Sequence, residues 1–325
     1  MHSDLAHCAH LRQPLTLMPL AYFVCEHCGF WQHHFAPSHC PVCEDFRHPL
    51  PPNGWHFAPA AAVAASTRCR VDQVLPGVFA VTADPPIGIG PSGYLLRTPH
   101  GNIAFEGCGW YDDAALDAFA DAGGVRWAAA SHPHVYGALW RVCERFAPEL
   151  VLHRDDLAFA KSLPVSWAYD ERAELAPGVT LVHTDGHTPG HTALIWDGAG
   201  ASRRTLFCGD AFKYTVDIGG TATSVSTHLA FDADVPLTRT QVAGYARTLA
   251  PVDATTVVTP WEVVRAGGMP AARALLDLQL AAPHPFTDRV VLGPGGVPTG
   301  ERVPERAWRT AHGAGRVVGA ARGAS

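Results

Sequence analysis

The sequence predicts an α/β fold, sheets sandwiched between helices, with a small metal-bound knot in front of it. Three observations predict this. Four cysteines stand in two close pairs near the start of the chain. From about residue 70, strand-like runs alternate with helical ones in two successive halves. The chain of 325 residues is 47% hydrophobic, enough for one large domain and something smaller beside it.

Residues 1–20 read as a leader. The knot is expected over 21–56, where Cys25-x2-Cys28 and Cys40-x2-Cys43 are separated by eleven residues. Each Cys-x-x-Cys turn presents two thiolates to one ion, and two turns complete a tetrahedral four-sulfur site. Gly29 and Pro41 are typical of knuckle turns, and the segment resembles rubredoxin-like and zinc-ribbon modules. Such a closed site leaves no open coordination position. It folds a segment too short to fold on its own apolar surface. Zinc is the expected structural ion, with iron the alternative. Residues 57–69, rich in proline and alanine, read as a linker onto the body.

The body is expected over 70–283. "GVFAVTA", "SGYLLRT" and "GNIAFEG" read as strands punctuated by Gly and Pro. "DDAALDAFADAGG" reads as an acid-capped helix closed by glycines. "VRWAAASH" is a buried strand that delivers His132 at its end, and "YGALWRVCERFAP" is apolar at helical spacing. The alternation continues through "ELVLHRDD", "GVTLVHTDGHTPGHTALIW" and "RRTLFCGDAF". A helix around "TRTQVAGYARTLA", the strand "ATTVVTPW" and the helix "MPAARALLDLQLA" complete it. Residues 284–325, with "GPGG" and "AARGAS", read as a loop-like, partly disordered tail.

Three fragments carry the chemistry: "SHPHVYG", "GHTPGH" and "CGDAF", each following a strand. In that order they resemble the metallo-β-lactamase superfamily over roughly residues 70–270, which implies an αββα sandwich. The resemblance assigns His132 and His134 to the first two histidines of an H-x-H-x-D-H loop. It assigns His191 to the third ligand and Asp210 to the carboxylate that two metals share. The second metal would need an acid at 136, a histidine at 137 and a late histidine. The sequence offers Tyr136, Gly137 and Trp261 or Glu262. Every ligand private to one metal is absent while those of the other remain, so the resemblance implies a mononuclear centre.

Zinc held by three imidazoles keeps a fourth position for water and lowers that water's pKa to about 7. Asp210 then orients the nucleophile or takes up its proton. One metal without a second Lewis acid favours activated esters, thioesters or lactones. The expected complement is therefore one catalytic and one structural zinc, with iron possible at either, acting on a small-molecule substrate. Tyr136 is a candidate to fill the vacated second-metal space and hold an oxyanion. His187, the first histidine of "GHTPGH", reads as a brace of the turn that would replace His191 if the turn were shifted. Glu262 is a candidate replacement ligand, and Lys213 reads as a solvated surface residue. Two rivals stand beside this hydrolase. One is a mononuclear non-haem iron oxygenase or sulfur-oxidising enzyme, with His132, His191 and Asp210 as its triad and the knot passing electrons. The other is a catalytically inactive binding scaffold.

The net charge is −6, and Arg and Lys form no cluster, which argues against nucleic acid or an anionic membrane as partner. No run reaches the about 18 apolar residues a bilayer requires. "LTLMPLAYFVC" lacks the basic run of a signal peptide, and nine cysteines in this pattern suit a reducing compartment, so a cytoplasmic location is expected. Oligomeric state is left open.

Overall fold

The structure, a computed structural model, describes residues 18–198 and 204–312. Two sheets form the body. The first runs from Trp167–Tyr169 through Glu149–His153, Trp127–Ala129, Ile103–Phe105, Gly93–Leu96 and Val78–Asp84 to Arg68–Leu75. The second runs from Arg172–Ala176 through Val179–His183, Thr192–Trp196, Thr205–Phe207 and Thr256–Val258 to Val263–Val264.

Side chains alternate across a strand, and here both faces are apolar because both are covered. Tyr94, Leu96, Ile103, Phe105, Trp127, Ala129 and Val151 of the first sheet meet Leu181, Leu194, Trp196, Phe207 and Val258 of the second. The Tyr94 and Phe105 rings lie edge-on to Phe207, at 5.6 and 5.8 Å. The intervening residues Leu95, Ala104, Ala128, Leu150 and Leu152 face outward onto Leu116, Phe119, Leu139 and Val142. Those four come from the helices Asp113–Asp121 and Leu139–Phe146. On the other side Val182, Ala193, Leu206 and Val257 pack against Val242, Tyr245, Leu275 and Leu276. These lie on the helices Arg239–Thr248 and Gly268–Ala281. Helix, sheet, sheet, helix is the four-layer architecture that the metallo-β-lactamase resemblance implies. The acid cap is present too, since the Asp112 carboxylate accepts from Ala115 N.

The knot is not a tethered satellite. Trp31 is buried, donates from Nε1 to Gly109 O at 3.0 Å, and packs against the Trp110 and Trp140 rings at 5.4 and 5.3 Å. Val24, Trp31 and Val42 share one core with Leu139 and Trp140. The expected linker is likewise structured: Phe57–Pro59 pairs with Phe23–Cys25 as the knot's third strand, and Ala60–Ser66 is helical. An alanine-rich run is a strong helix former, and that preference outweighs its loop-like composition.

The tail also departs from its reading. Arg289–Leu292 and Pro298–Val303 add two strands to a sheet begun by Lys213–Val216 and Ala222–Ser226, and Glu305–His312 is a helix. The glycines and proline at 293–296 make the turn between those strands rather than dissolve the structure. Residues 1–17, 199–203 and 313–325, which include most of the expected leader and the end of the tail, lie outside the described residues. Among the described residues no helix is long and apolar enough to cross a membrane.

Glu305 anchors the tail. It is buried, receives Arg289 Nε and Nη2 at 3.0 and 2.9 Å, and accepts from Ser226 Oγ at 2.9 Å. Burial alone would raise its carboxyl, but hydrogen bonds from His228 and Arg289 and the Arg289 charge hold it down at about 2. A depressed carboxyl contributes stability that is present above its unfolded pKa and lost as pH falls toward 2. Glu305→Ala should therefore cost about 3 kcal/mol or more near neutrality, because the Arg289 charge stays buried without its carboxylate. A melting curve checks this, and a variant as stable as the parent would mean the tail is only loosely docked.

Candidate metal centre

The four cysteine sulfurs are buried and all lie within 4.8 Å of one another. Cys25 Sγ is 3.7 Å from Cys43 Sγ, and Cys28 Sγ is 3.5 Å from Cys40 Sγ. A tetrahedron with metal–sulfur bonds of about 2.3 Å has edges of about 3.8 Å, close to these two separations, so the donor set suits such an ion. Backbone bonds Gly29 N to Cys25 O, 2.8 Å, and Glu44 N to Cys40 O, 3.0 Å, close the two turns. Hydrogen bonds from its three neighbours pull the Cys25 thiol far down, while burial first and thiol contacts second push Cys28 well up. Four thiols packed this way share protons poorly and suit a cation.

The second cluster lies where the strands of the two facing sheets end. His132 follows the strand Trp127–Ala129, and His134 sits inside a single 3-10 turn, Pro133–Val135. The ligand-capable nitrogens of His132, His134 and His187 all lie within 4.8 Å of one another. His187 Nε2 is 3.2 Å from His134 Nδ1 and 3.6 Å from Asp210 Oδ2, and His132 Nε2 is 3.8 Å from the same oxygen. Each of the three rings is buried, and burial followed by neighbouring positive groups holds each well below the ordinary histidine range. They are neutral imidazoles with lone pairs to offer. His132 Nε2 and Asp210 Oδ1 are buried with no hydrogen-bond partner in the protein, as a metal's ligand atoms would be.

The third imidazole is thus His187, not His191. His191 immediately precedes the strand Thr192–Trp196, and both its nitrogens are engaged. Nδ1 contacts Thr184 Oγ1 at 2.6 Å, and Nε2 accepts from the backbone N–H of Asp210 at 3.1 Å. Acceptance at Nε2 places the proton on Nδ1. Burial pushes this ring down to about 3. His191 therefore aims Asp210, and with both its nitrogens engaged it offers no free lone pair to a triad of His132, His191 and Asp210. Gly209 makes the approach possible: its φ is +51°, and a Cβ there would sit 2.5 Å from Ser131 Oγ and 2.7 Å from His191 Nε2.

The other candidates separate in the same way. Tyr136 turns into the core beneath the loop, its hydroxyl 3.5 Å from the Asp156 carbonyl oxygen, and does not reach the cluster. Gly137 has no space for a histidine, since a Cβ would lie 2.3 Å from Cys108 O. The Glu262 carboxylate accepts from Thr259 Oγ1, which in turn accepts from the backbone N–H groups of Trp261 and Glu262, and Glu262 is not grouped with the three histidines. Lys213 is no surface residue. Its Nζ is 2.8 Å from Asp210 Oδ2 and 3.8 Å from the centre of the Trp261 ring, beside the histidine cluster's carboxylate. Cys108, Cys143 and Cys208 are packed core.

Several residues of the site carry no sequence motif. Asp156 accepts from Thr188 Oγ1 and Gly190 N, both at 3.1 Å, and so fixes the turn that presents His187. Glu106 accepts from Ser131 N at 2.9 Å, and Ser131 Oγ meets His132 Nδ1 at 2.8 Å. Burial pushes the Glu106 carboxyl up to about 8, against the hydrogen bonds from Ser131. A raised acid pKa means the fold takes up a proton between the unfolded value and 8, so stability falls as pH rises through that window. Glu106→Gln keeps the neutral shape and should flatten that fall. Melting temperatures at pH 6 and pH 9 read it, and parallel slopes in both proteins would refute the assignment.

No protein-family model matches the sequence. A curated relative, the uncharacterized protein YmaE of Bacillus subtilis (strain 168), is 24% identical over 205 residues, 61% of this chain and 74% of its own. Similar solved structures are metallo-β-lactamases. A B3 enzyme with an active-site glutamic acid is 13% identical, covering 68% of this chain and 95% of that one, at a TM-score of 0.43. The corresponding values for DIM-1 are 10%, 65%, 97% and 0.47. For MIM-1 from Novosphingobium pentaromativorans they are 16%, 67%, 82% and 0.40.

Proposed function

We propose that His132, His134 and His187, with Asp210 beside them, hold one catalytic ion, zinc first, and that the chain hydrolyses an activated ester, thioester or lactone. The observation that carries this is the set of three neutral imidazoles converging on one point, with His132 Nε2 and Asp210 Oδ1 left without protein partners. Zinc in such a donor set supplies Lewis acidity and activates water at neutral pH. Asp210 Oδ1, unclaimed by the protein, would complete the ion's coordination, and His191 and Lys213 hold the carboxylate in place for it. The Lys213 ammonium also places positive charge where a leaving oxygen develops negative charge. A single ammonium is a weaker electrophile than a second metal, which confines the site to good leaving groups.

The cysteine cage is read as the second, structural ion, zinc before iron. All described cysteines are free thiols, which supports a reducing, cytoplasmic setting. Elemental analysis of the purified protein, combined with turnover of simple thioesters, lactones and aryl esters, tests the reading. The expected result is two ions per chain, one labile to chelators, with turnover lost and regained as the labile one leaves and returns. A chain holding only the thiolate-bound ion, or turnover indifferent to the labile one, would end it and favour a scaffold.

A further inference from the structure

The knot does more than pack on the body; its last turn reaches the histidine cluster. Arg47 follows Cys43 by four residues, and its Nε donates to the backbone carbonyl of His187. Its guanidinium is fixed by Asp45, with Nη1 at 2.7 and 2.6 Å from the two carboxylate oxygens. His48 sets its ring edge-on to that of His134, centroids 4.1 Å apart, with Nδ1 3.9 Å from Asp232 Oδ2. The His134 ring is thereby flanked by His48 on one side and by His187, 5.2 Å away, on the other.

Between Cys40 and His48 the chain is a succession of turns. Glu44 N bonds Cys40 O, Asp45 N bonds Val42 O, and His48 N bonds Asp45 O, at 3.0, 3.3 and 3.1 Å. Such a segment has no slack, so the positions of the Cys40 and Cys43 sulfurs dictate where Arg47 and His48 stand. His187, by contrast, lies in a loop whose orientation depends on outside partners, the Arg47 guanidinium among them.

We propose that Arg47 and His48 are positioning residues of the histidine centre, delivered by the four-cysteine ion, so that the two metal sites are energetically coupled. The inference rests on the reading that the histidine cluster binds a metal. Arg47 holds the His187 turn by its carbonyl, and His48 stops the His134 ring from rotating out of line. Outer partners of this kind typically change metal affinity by about 10–100-fold. Coupling of binding free energies is reciprocal, so an ion in the histidine cluster tightens the cysteine cage by the factor with which the cage ion tightens the cluster.

The test uses the full-length protein with its thiolate-bound ion retained and only the labile ion removed. Cobalt(II) is then titrated in and followed by its visible bands, which lack the thiolate charge-transfer absorption of the cysteine cage. Arg47→Ala and His48→Ala should weaken cobalt binding ten- to a hundredfold and alter the band shape, while His48→Phe, which keeps the ring contact, restores both. The reciprocal effect is read at the cage of the intact parent: its ion should resist a chelator better when the histidine cluster is loaded with cobalt than when it is empty, and equal resistance would overturn the coupling. Equal affinity in the parent, Arg47→Ala and His48→Ala overturns the coupling and leaves the hydrolase reading standing. Failure of the parent itself to take up cobalt at a site without thiolates overturns both.

Discussion

His187→Ala is expected to empty the histidine cluster and abolish hydrolysis, whereas His191→Ala weakens metal binding and leaves a measurable rate. The two residues stand four apart in one short turn, so composition and bulk are matched between the variants. Their surroundings are not. His187 Nε2 faces His134 Nδ1 and Asp210 Oδ2 at 3.2 and 3.6 Å, so its removal deletes one of three imidazole donors. His191 Nε2 receives the Asp210 amide, so its removal frees the backbone that aims the carboxylate without deleting a donor. The loss for His191→Ala should fall within the about 10–100-fold typical of an outer partner, and the loss for His187→Ala should exceed it. Metal content after dialysis and the rate on an activated ester read both. A His191→Ala protein devoid of metal, beside a metal-replete His187→Ala, would reverse the assignment.

Loss of the cysteine cage should be the most damaging single change to the fold. A structural zinc site contributes about 10–16 kcal/mol of binding free energy, and that energy is folding energy for the segment around it. Cys28→Ser removes one of four sulfurs and leaves the others without a complete cage. The consequence extends past residue 56, because Trp31 and Val42 belong to the same core as Leu139 and Trp140. Solvent should therefore reach the faces of Trp110 and Trp140 as well as Trp31. A red-shifted tryptophan emission together with a melting temperature lowered by many degrees is the expected signature. An unchanged emission and melting curve would mean that the cage is dispensable and the knot is held by packing alone.

Much of this was legible from the chain alone. The short apolar runs in "SGYLLRT" and "GNIAFEG", bounded by Gly, mark strands, and the structure covers both faces of each. The Cys-x-x-Cys pairs meet as a cage because their spacing is local. The alanine run at 60–66 and the glycines at 293–296 were harder, since helix propensity and turn chemistry can look like plain loop composition there. At the candidate centre, "SHPHVYG" and "CGDAF" announce His132, His134 and Asp210. "GHTPGH" announces a histidine but not which one.

That choice lies in distances the linear order does not contain. The partner of His187 is His134, 53 residues earlier, and the cation on its carbonyl is Arg47, 140 residues earlier. Tyr136 is packed in the core with its hydroxyl toward the Asp156 carbonyl, and Lys213 is drawn in from solvent by Asp210 and the Trp261 ring. The sequence by itself determined the donor types, their local spacing and the layered architecture, all of which depend on neighbours a few residues apart. Only the tertiary structure decided which lone pairs are free, and that the knot closes onto the centre. A lone pair is free or engaged according to what the rest of the chain brings against it.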